Sequence, residues 1–258
     1  MQEKSLPVAT RLLLDSVGPT DQQAIKSVFL IVCSRTQSKG TGFLLSSGWI
    51  LTNHHVINGC QETDVFALSY SGQRVSFERL FSDPHVDLAL LKPARRPDGG
   101  LRLRTDFHIP IGTQVCTWGY PLGYNGPAPL LTVGHLSGYA TEGAPAVKHL
   151  VVNAAFNPGN SGGPLFVVGE DAVAGVVVSK HAPISKWLLS IIQTLRDQPS
   201  GMSYTATDEQ GNTKRFSEAQ LVAEVLMYFR QMTQVVIGEA VSGEELKAFL
   251  NSHGALPS

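Results

Sequence analysis

With 258 residues, 43% of them hydrophobic, the chain can bury one sizeable core plus an appendage, which excludes disorder as the starting assumption. Its 20 basic and 21 acidic residues give a formal net charge of -1, so no broad field draws in a phosphate backbone or an anionic lipid surface, and neither nucleic acid nor membrane is expected as a partner. Three cysteines, an odd number without CxxC spacing, exclude a zinc knuckle and a full disulfide framework. They are expected as reduced, mostly buried thiols, a Cys33 to Cys60 bridge belonging only to an oxidising compartment.

At the start, Glu3, Lys4, Arg11 and Asp15 interrupt brief apolar stretches, unlike the basic start and unbroken apolar run of a signal peptide. No apolar run approaches the roughly 20 residues of a membrane span. The expected location is the cytoplasm, with residues 1–24 as an N-terminal segment.

Residues 27–180 read as short runs rich in Val, Leu, Ile, Phe and Thr, punctuated by Gly, Pro, Asn and Asp, the pattern of an all-β domain, which with a closing helix is bounded at 25–196. Strands are predicted at 28–33, 42–45, 49–52, 64–69, 86–91, 115–118, 131–137, 150–153, 163–167 and 172–179. Their number and even spacing favour barrels over a single sheet. A closing helix at 184–195 follows from Trp187, Leu188, Ile191, Ile192 and Leu195 at helical spacing.

The polar stretch 197–216 is open between a linker, a loop and an exposed hairpin turning near Gln210 and Gly211. After it, Ser217 with Gln220 forms a capping-box pattern, with Phe216 and Leu221 as staple, and predicts a helix over 217–235. Leu221, Val225, Leu226, Phe229 and Met232 line one face of it. The pattern repeats at Ser242 and Glu245, with Val241 and Leu246 as staple, so 217–258 is expected to be a helical appendage.

The chemistry concentrates in Asn157-Pro158-Gly159-Asn160-Ser161-Gly162-Gly163-Pro164-Leu165, a serine in a glycine-rich turn that runs into an apolar strand. A serine attacking a carbonyl needs backbone N–H groups aimed at the developing oxyanion, which Gly159 allows the turn to supply. Gly159, Asn160 and Ser161 are the candidate oxyanion hole, through the N–H groups of Gly159 and Ser161.

Serine also needs a general base, available from Thr52-Asn53-His54-His55-Val56 at the end of a strand. Adjacent histidines point to different sides, so one is a bystander. The imidazole needs an acceptor, and Asp87 opens the apolar stretch Asp87-Leu88-Ala89-Leu90-Leu91-Lys92. Asp83, followed by Pro84, reads as a turn residue.

Thr-Asn-His-His-Val, Asp-Leu-Ala-Leu-Leu-Lys and Gly-Asn-Ser-Gly-Gly-Pro-Leu resemble the three catalytic motifs of the trypsin-like serine peptidases, closest to their HtrA/Deg-like branch. The resemblance spans about residues 25 to 196. It implies a mainly β fold of two six-stranded antiparallel barrels, and it selects His55, Asp87 and Ser161 as catalytic. Trp118-Gly119-Tyr120-Pro121-Leu122-Gly123 and Val133-Gly134-His135-Leu136-Ser137-Gly138 are similar to a family loop and the strand opening the second barrel, and Ala182-Pro183-Ile184-Ser185 to its strand-to-helix exit.

It further implies a substrate-binding set of Ala155, Phe156, Val178, Ser179 and Lys180. Ala155 lies at the base of the primary pocket, without a carboxylate, which favours small or medium apolar residues before the scissile bond. Asn160 stands where digestive relatives carry the Asp that pairs with a freed N-terminus, so that activation is not expected. Cys60 lies five residues after His55 rather than directly behind it, against the histidine-loop disulfide of those relatives. HtrA/Deg-like proteases usually append a PDZ domain, and the roughly 60 residues beyond the barrels are too few for one.

The expectation is a serine endopeptidase acting through an acyl-enzyme on a protein or peptide substrate, without cofactor or metal. The alternative is a latent protease-like binding module switched on by a partner. The C-terminal helices are the expected surface for a protein partner or self-association.

Overall fold

A computed structural model describes residues 6–178, 186–207, 211, 213–232 and 237–256. The chain divides into two units, 1–180 with 236–258, and 181–235. In the first unit, α1 (Val8–Asp15) and α2 (Pro19–Ser27) occupy what the sequence offered only as a leading segment. Pro19 at the first helical turn has the backbone angle a helix start requires. α2 buries Ala24 and Ile25 in the core, and the fully buried Thr10 donates Oγ1 to the Tyr70 carbonyl at 3.1 Å.

β1 (Val28–Cys33), β2 (Lys39–Leu44), β3 (Ile50–Thr52), β4 (Val65–Ser69), β5 (Arg74–Asp83) and β6 (Leu88–Pro93) close an antiparallel barrel in the order β1-β2-β3-β6-β5-β4. A single helical turn, α3 (His54–Ile57), follows β3. Ala89 and Leu91 of β6 pack in one cluster with Phe29, Ile31, Leu44 and Ile50. Leu88 and Leu90, on the alternate face, join a second cluster with Phe43, Leu51 and Trp118. A strand buried on both faces reads as an unbroken apolar run, which is why Leu88 to Leu91 show no alternation.

Cys33 of β1 and Cys60 are joined by a disulfide with Cα atoms 6.5 Å apart, closing a loop around α3. The expectation of three reduced thiols therefore fails for this pair, as does the argument against a histidine-loop bridge from the position of Cys60. Spacing along the chain did not reveal that the turn of α3 carries residue 60 back beside β1. For a separation of 27 residues, loop-closure entropy makes such a bond stabilising by about 3–4 kcal/mol. Cys116 is free and buried, and burial, with Asp21 nearby, pushes its thiol up to about 11.

β7 (Arg102–Leu103), β8 (Gln114–Gly119), β9 (Leu130–Glu142), β10 (Val147–Val152), β11 (Pro164–Val167) and β12 (Ala172–Val178) continue the first unit. The second unit holds α4 (Lys186–Asp197), the hairpin β13 (Ser203–Thr207) and β14 (Thr213–Ser217), and α5 (Glu218–Met232). Of the three readings left open for 197–216, the structure contains the hairpin, in register Thr207↔Thr213. Gln210, its expected turning point, lies outside the described residues, as do residues 179–185 before α4. The capping box forms reciprocally: Ser217 N–H donates to Gln220 Oε1 at 3.0 Å, and Gln220 N–H to Ser217 Oγ at 3.3 Å. The predicted apolar stripe of α5 is solvent-exposed at Leu221, Val225, Leu226 and Phe229, the last by 62%.

The chain then re-enters the first unit with β15 (Gly238–Ser242) and α6 (Gly243–Ser252). β15 inserts between β10 and β12, pairing His149↔Val241 and Val178↔Glu239, and completes a second six-stranded antiparallel barrel in the order β11-β8-β9-β10-β15-β12, closed by the β11–β12 pairing and flanked by β7 in parallel. The expected two-barrel fold is present, but 217–258 is not one helical appendage. Its second half is a core strand plus a helix that buries Leu246, Phe249 and Leu250. Ser242 caps α6 by accepting from Glu245 N–H, while Glu245 Oε1 accepts from Lys148 N–H instead of returning to the cap, so this second box is only half formed. Among the described residues, no helix is long and apolar enough to cross a membrane.

Candidate active site

His55 and Asp87, 32 residues apart in sequence, meet where β3 and β6 pair. His55 Nδ1 donates to Asp87 Oδ2 at 2.7 Å, and the His55 main-chain N–H donates to Asp87 Oδ1 at 3.0 Å. Asp87 is held in the left-handed region, at φ 54°, by two further bonds to its carbonyl, from Asn53 Nδ2 at 2.8 Å and His54 N–H at 3.2 Å. A non-glycine residue pays conformational strain there unless its surroundings hold it, and such strain gathers at functional sites. His54 turns the other way, its Nδ1 3.1 Å from Ser82 Oγ. Asp83 accepts from His85 N–H at 2.8 Å, closing its own turn.

Ser161 lies in the turn between β10 and β11, 4% exposed. On one flank Gly162 N–H donates to Val177 O and Val177 N–H to Gly163 O, both at 2.8 Å, tying the turn to β12. On the other, Leu122 N–H donates to Pro158 O at 2.6 Å, tying it to the loop after β8. Thr41 of β2 spans the two barrels. Its N–H donates to Ser161 O at 2.8 Å, and its Oγ1 donates to Gly159 O at 2.6 Å while accepting from Tyr120 N–H at 3.0 Å. Nothing in the sequence singled out Thr41 or Asn53, since their work is to hold main chain from distant segments.

Gly159, at φ 97°, is buried, and among the described residues its N–H has no acceptor. Buried backbone donors are almost always paired, so one left open beside a serine fits an oxygen supplied by a ligand. Asn160 differs from expectation, because its N–H donates to Asn157 O at 3.0 Å inside the turn and is not free to act in the oxyanion hole. Its side chain is 1% exposed with neither amide atom hydrogen-bonded, packed where a Cβ on Gly119 would come within 2.6 Å of Oδ1.

Gly162, at φ 85°, sits on the segment leading to the histidines: a Cβ there would run into Thr41 O and Thr52 Oγ1 and stand 3.0 Å from Asn53 N. Gly162→Ala is therefore expected to destabilise the fold by about 2–5 kcal/mol, combining left-handed strain with overpacking. Urea unfolding checks this, and a variant within 0.5 kcal/mol of wild type, the ordinary scatter of surface substitutions, would refute the crowding.

Of the expected substrate-binding residues, Ala155 is half-buried, but Phe156 is 4% exposed within the second barrel's core, against Gly238, and Val178 is likewise a core residue. Phe156 and Val178 thus stand as core packing, a correction to the expected substrate-binding set. Ser179 and Lys180 lie outside the described residues. Among the described residues, no group of three or more His, Cys, Asp or Glu is placed to hold a metal ion.

The family profile described as "Trypsin-like peptidase domain" matches residues 40–176. A "Probable periplasmic serine endoprotease DegP-like" of Hahella chejuensis is 34% identical over 143 residues, covering 54% of this chain and 29% of the relative. A protein of the same description from Pseudomonas savastanoi pv. phaseolicola is 33% identical over 174 residues, covering 66% and 33%. The chain thus spans about a third of the length of these curated relatives. The crystal structure of Rv3671c protease in its inactive form superposes with a TM-score of 0.54 at 26% identity, over 70% of this chain and 88% of that one.

Proposed function

From a chain that belongs to the trypsin-like peptidase family, and is similar to DegP-like serine endoproteases, we propose a serine endopeptidase in which Ser161 attacks the peptide carbonyl. His55 takes the serine proton and returns it to the leaving amine, and Asp87 fixes the imidazole and stabilises its protonated form. The Gly159 and Ser161 N–H groups receive the oxyanion. The observation that carries this reading is the doubly bonded His55–Asp87 pair. One carboxylate fixes both the ring and the backbone of the base.

The half-buried Ala155, with no carboxylate beside it in the sequence, supports a preference for small or medium apolar residues before the scissile bond. Proteins or peptides are the substrates on this reading. The cytoplasmic location expected from the sequence sits poorly with the Cys33–Cys60 bridge and with relatives named periplasmic, so an oxidising compartment is the better proposal. A second reading, a latent module switched on by a partner or by self-association, draws support from the exposed stripe of α5.

A fluorophosphonate probe with intact-mass readout tests the first reading. One adduct, mapped to the peptide containing Ser161 and formed without any partner, is expected. Folded protein that takes no adduct would sink the constitutively active enzyme and leave the latent module.

A further inference from the structure

Gly159 carries the open N–H of the serine turn, yet glycine holds a backbone direction less firmly than any other residue, because it takes φ of either sign at similar cost. At φ 97° the two peptide planes that meet at this residue must be held from outside if the N–H is to keep one direction. Both are held. In the plane between residues 158 and 159, Pro158 O accepts from Leu122 N–H at 2.6 Å. A trans peptide sets its N–H opposite its carbonyl, so that bond aims the Gly159 N–H away from Leu122. In the plane between 159 and 160, Asn160 N–H donates to Asn157 O at 3.0 Å, and Gly159 O accepts from Thr41 Oγ1 at 2.6 Å. Of these three bonds only the last is made by a side chain.

A hydroxyl has one proton to donate and accepts through its lone pairs. Thr41 Oγ1 accepts from Tyr120 N–H at 3.0 Å, which leaves its proton for Gly159 O, and the chain from Tyr120 N–H through the hydroxyl to the carbonyl runs in one direction. Thr41 is fully buried and Tyr120 is 4% exposed, so the chain lies away from bulk water, where successive hydrogen bonds strengthen one another. The space around the hydroxyl is close: a Cβ on Gly119 would stand 3.1 Å from Thr41 Oγ1. The main chain of Thr41 has separate work. Its N–H donates to Ser161 O at 2.8 Å, and its carbonyl accepts from Thr52 Oγ1 at 2.7 Å, just ahead of Asn53 and the histidines. A change confined to the side chain leaves those two bonds available.

We propose that Thr41 is a positioning residue for the oxyanion site: its hydroxyl, supplied by the first barrel, fixes the Gly159 carbonyl and with it the direction of the Gly159 N–H. This deepens the peptidase reading and rests on it. Without the hydroxyl, the 159–160 plane is held at its N–H alone, Tyr120 N–H and Gly159 O lose a shared partner, and the glycine can turn its N–H away from the reacting carbonyl. The oxyanion site is then a joint product of both barrels, through a residue that touches no substrate.

Thr41→Val keeps the shape of the side chain without its hydroxyl, and Thr41→Ser keeps the hydroxyl. For Thr41→Val, kcat is expected to fall by about 10²-fold or more, the scale of losing one oxyanion donor, with KM near that of wild type. Affinity for a peptide aldehyde, whose hemiacetal with Ser161 places an oxygen where the oxyanion forms, is expected to fall by the same factor. The midpoint of the pH profile of kcat/KM stays in place, because His55 and Asp87 keep their bonds. Thr41→Ser restores turnover to within about 10-fold of wild type, since the donor and acceptor are back. If circular dichroism shows Thr41→Val unfolded, Thr41→Ala, which leaves room for water to meet the two buried groups without fixing them, is read by the same measures. A smaller loss of kcat, a loss that the aldehyde does not share, a shifted pH midpoint, or a Thr41→Ser that restores nothing overturns the proposal while wild type still takes the fluorophosphonate. Wild type that takes no label and cuts no peptide removes the peptidase reading, and this one with it.

Discussion

On the proposed triad, Ser161→Ala is expected to lower peptide turnover by about 10⁶-fold and to leave the protein folded, the loss that follows removal of the nucleophile of a serine triad. The fold survives because the bonds that hold the turn to Thr41, Val177, Leu122 and Asn160 are made by main-chain groups, or by side chains other than that of residue 161. Alanine keeps them all. The turnover lost is the covalent route itself, and what persists above the uncatalysed rate reports binding and oxyanion stabilisation alone. Steady-state hydrolysis of a small apolar peptide substrate, with circular dichroism on the same samples, checks the result. Activity within 100-fold of wild type would mean that another group attacks the carbonyl, because loss of a single oxyanion donor alone reaches about 10²–10³.

Asp87→Asn is expected, on the same reading, to lower turnover by about 10⁴-fold with the backbone of the site unmoved. Asparagine is among the residues that best tolerate the left-handed conformation at φ 54°, so the substitution adds little strain. The bonds from Asn53 and His54 go to the main-chain carbonyl of residue 87 and are kept. The change falls on the side chain. Asp87 accepts from His55 twice, once on each oxygen, and an amide offers one acceptor oxygen and one donor nitrogen. Either the backbone N–H or the ring loses its acceptor. If the amide nitrogen faces the ring, it holds the imidazole in the tautomer that cannot take the serine proton. A turnover loss under 10-fold would show that Asp87 does not govern the ring, since positioning of a general base contributes about 10²–10⁴.

The parts of this molecule that were legible in the sequence are those whose signal is local. β1 was predicted at 28–33 and is found at Val28–Cys33, because an apolar run with turn residues after it carries its own limits. The Ser217–Gln220 capping box formed as drawn, since both partners lie within one helical turn. β5 was missed because a register shift between Phe77 and Arg79 breaks its alternation after two buried residues. β15 was missed because its five residues, one of them Gly and one Glu, make sense only beside β10 and β12, which lie far earlier in the chain. In the site, residue types pointed to a serine, one of two histidines and Asp87, the family resemblance selected His55, and the structure brings His55 and Asp87 into contact. Asn160, included in the oxyanion set, has its N–H taken up by a bond within the turn, and Phe156 and Val178 are core residues, distinctions that depend on main-chain direction rather than composition.

The position of β15 also sets an order of events during synthesis. The first barrel is complete in sequence by β6, so it can close while the remainder is still being made. The second cannot, because the strand that fills the gap between β10 and β12 is translated only after the whole 181–235 unit. Until then β10 and β12 present unpaired edges, the features that invite pairing with a neighbouring chain. The turn bearing Ser161 is docked against β12, so a nascent chain stopped short of residue 238 holds its nucleophile on an open sheet. On the peptidase reading, competence to cut peptide bonds waits until β15 is in place.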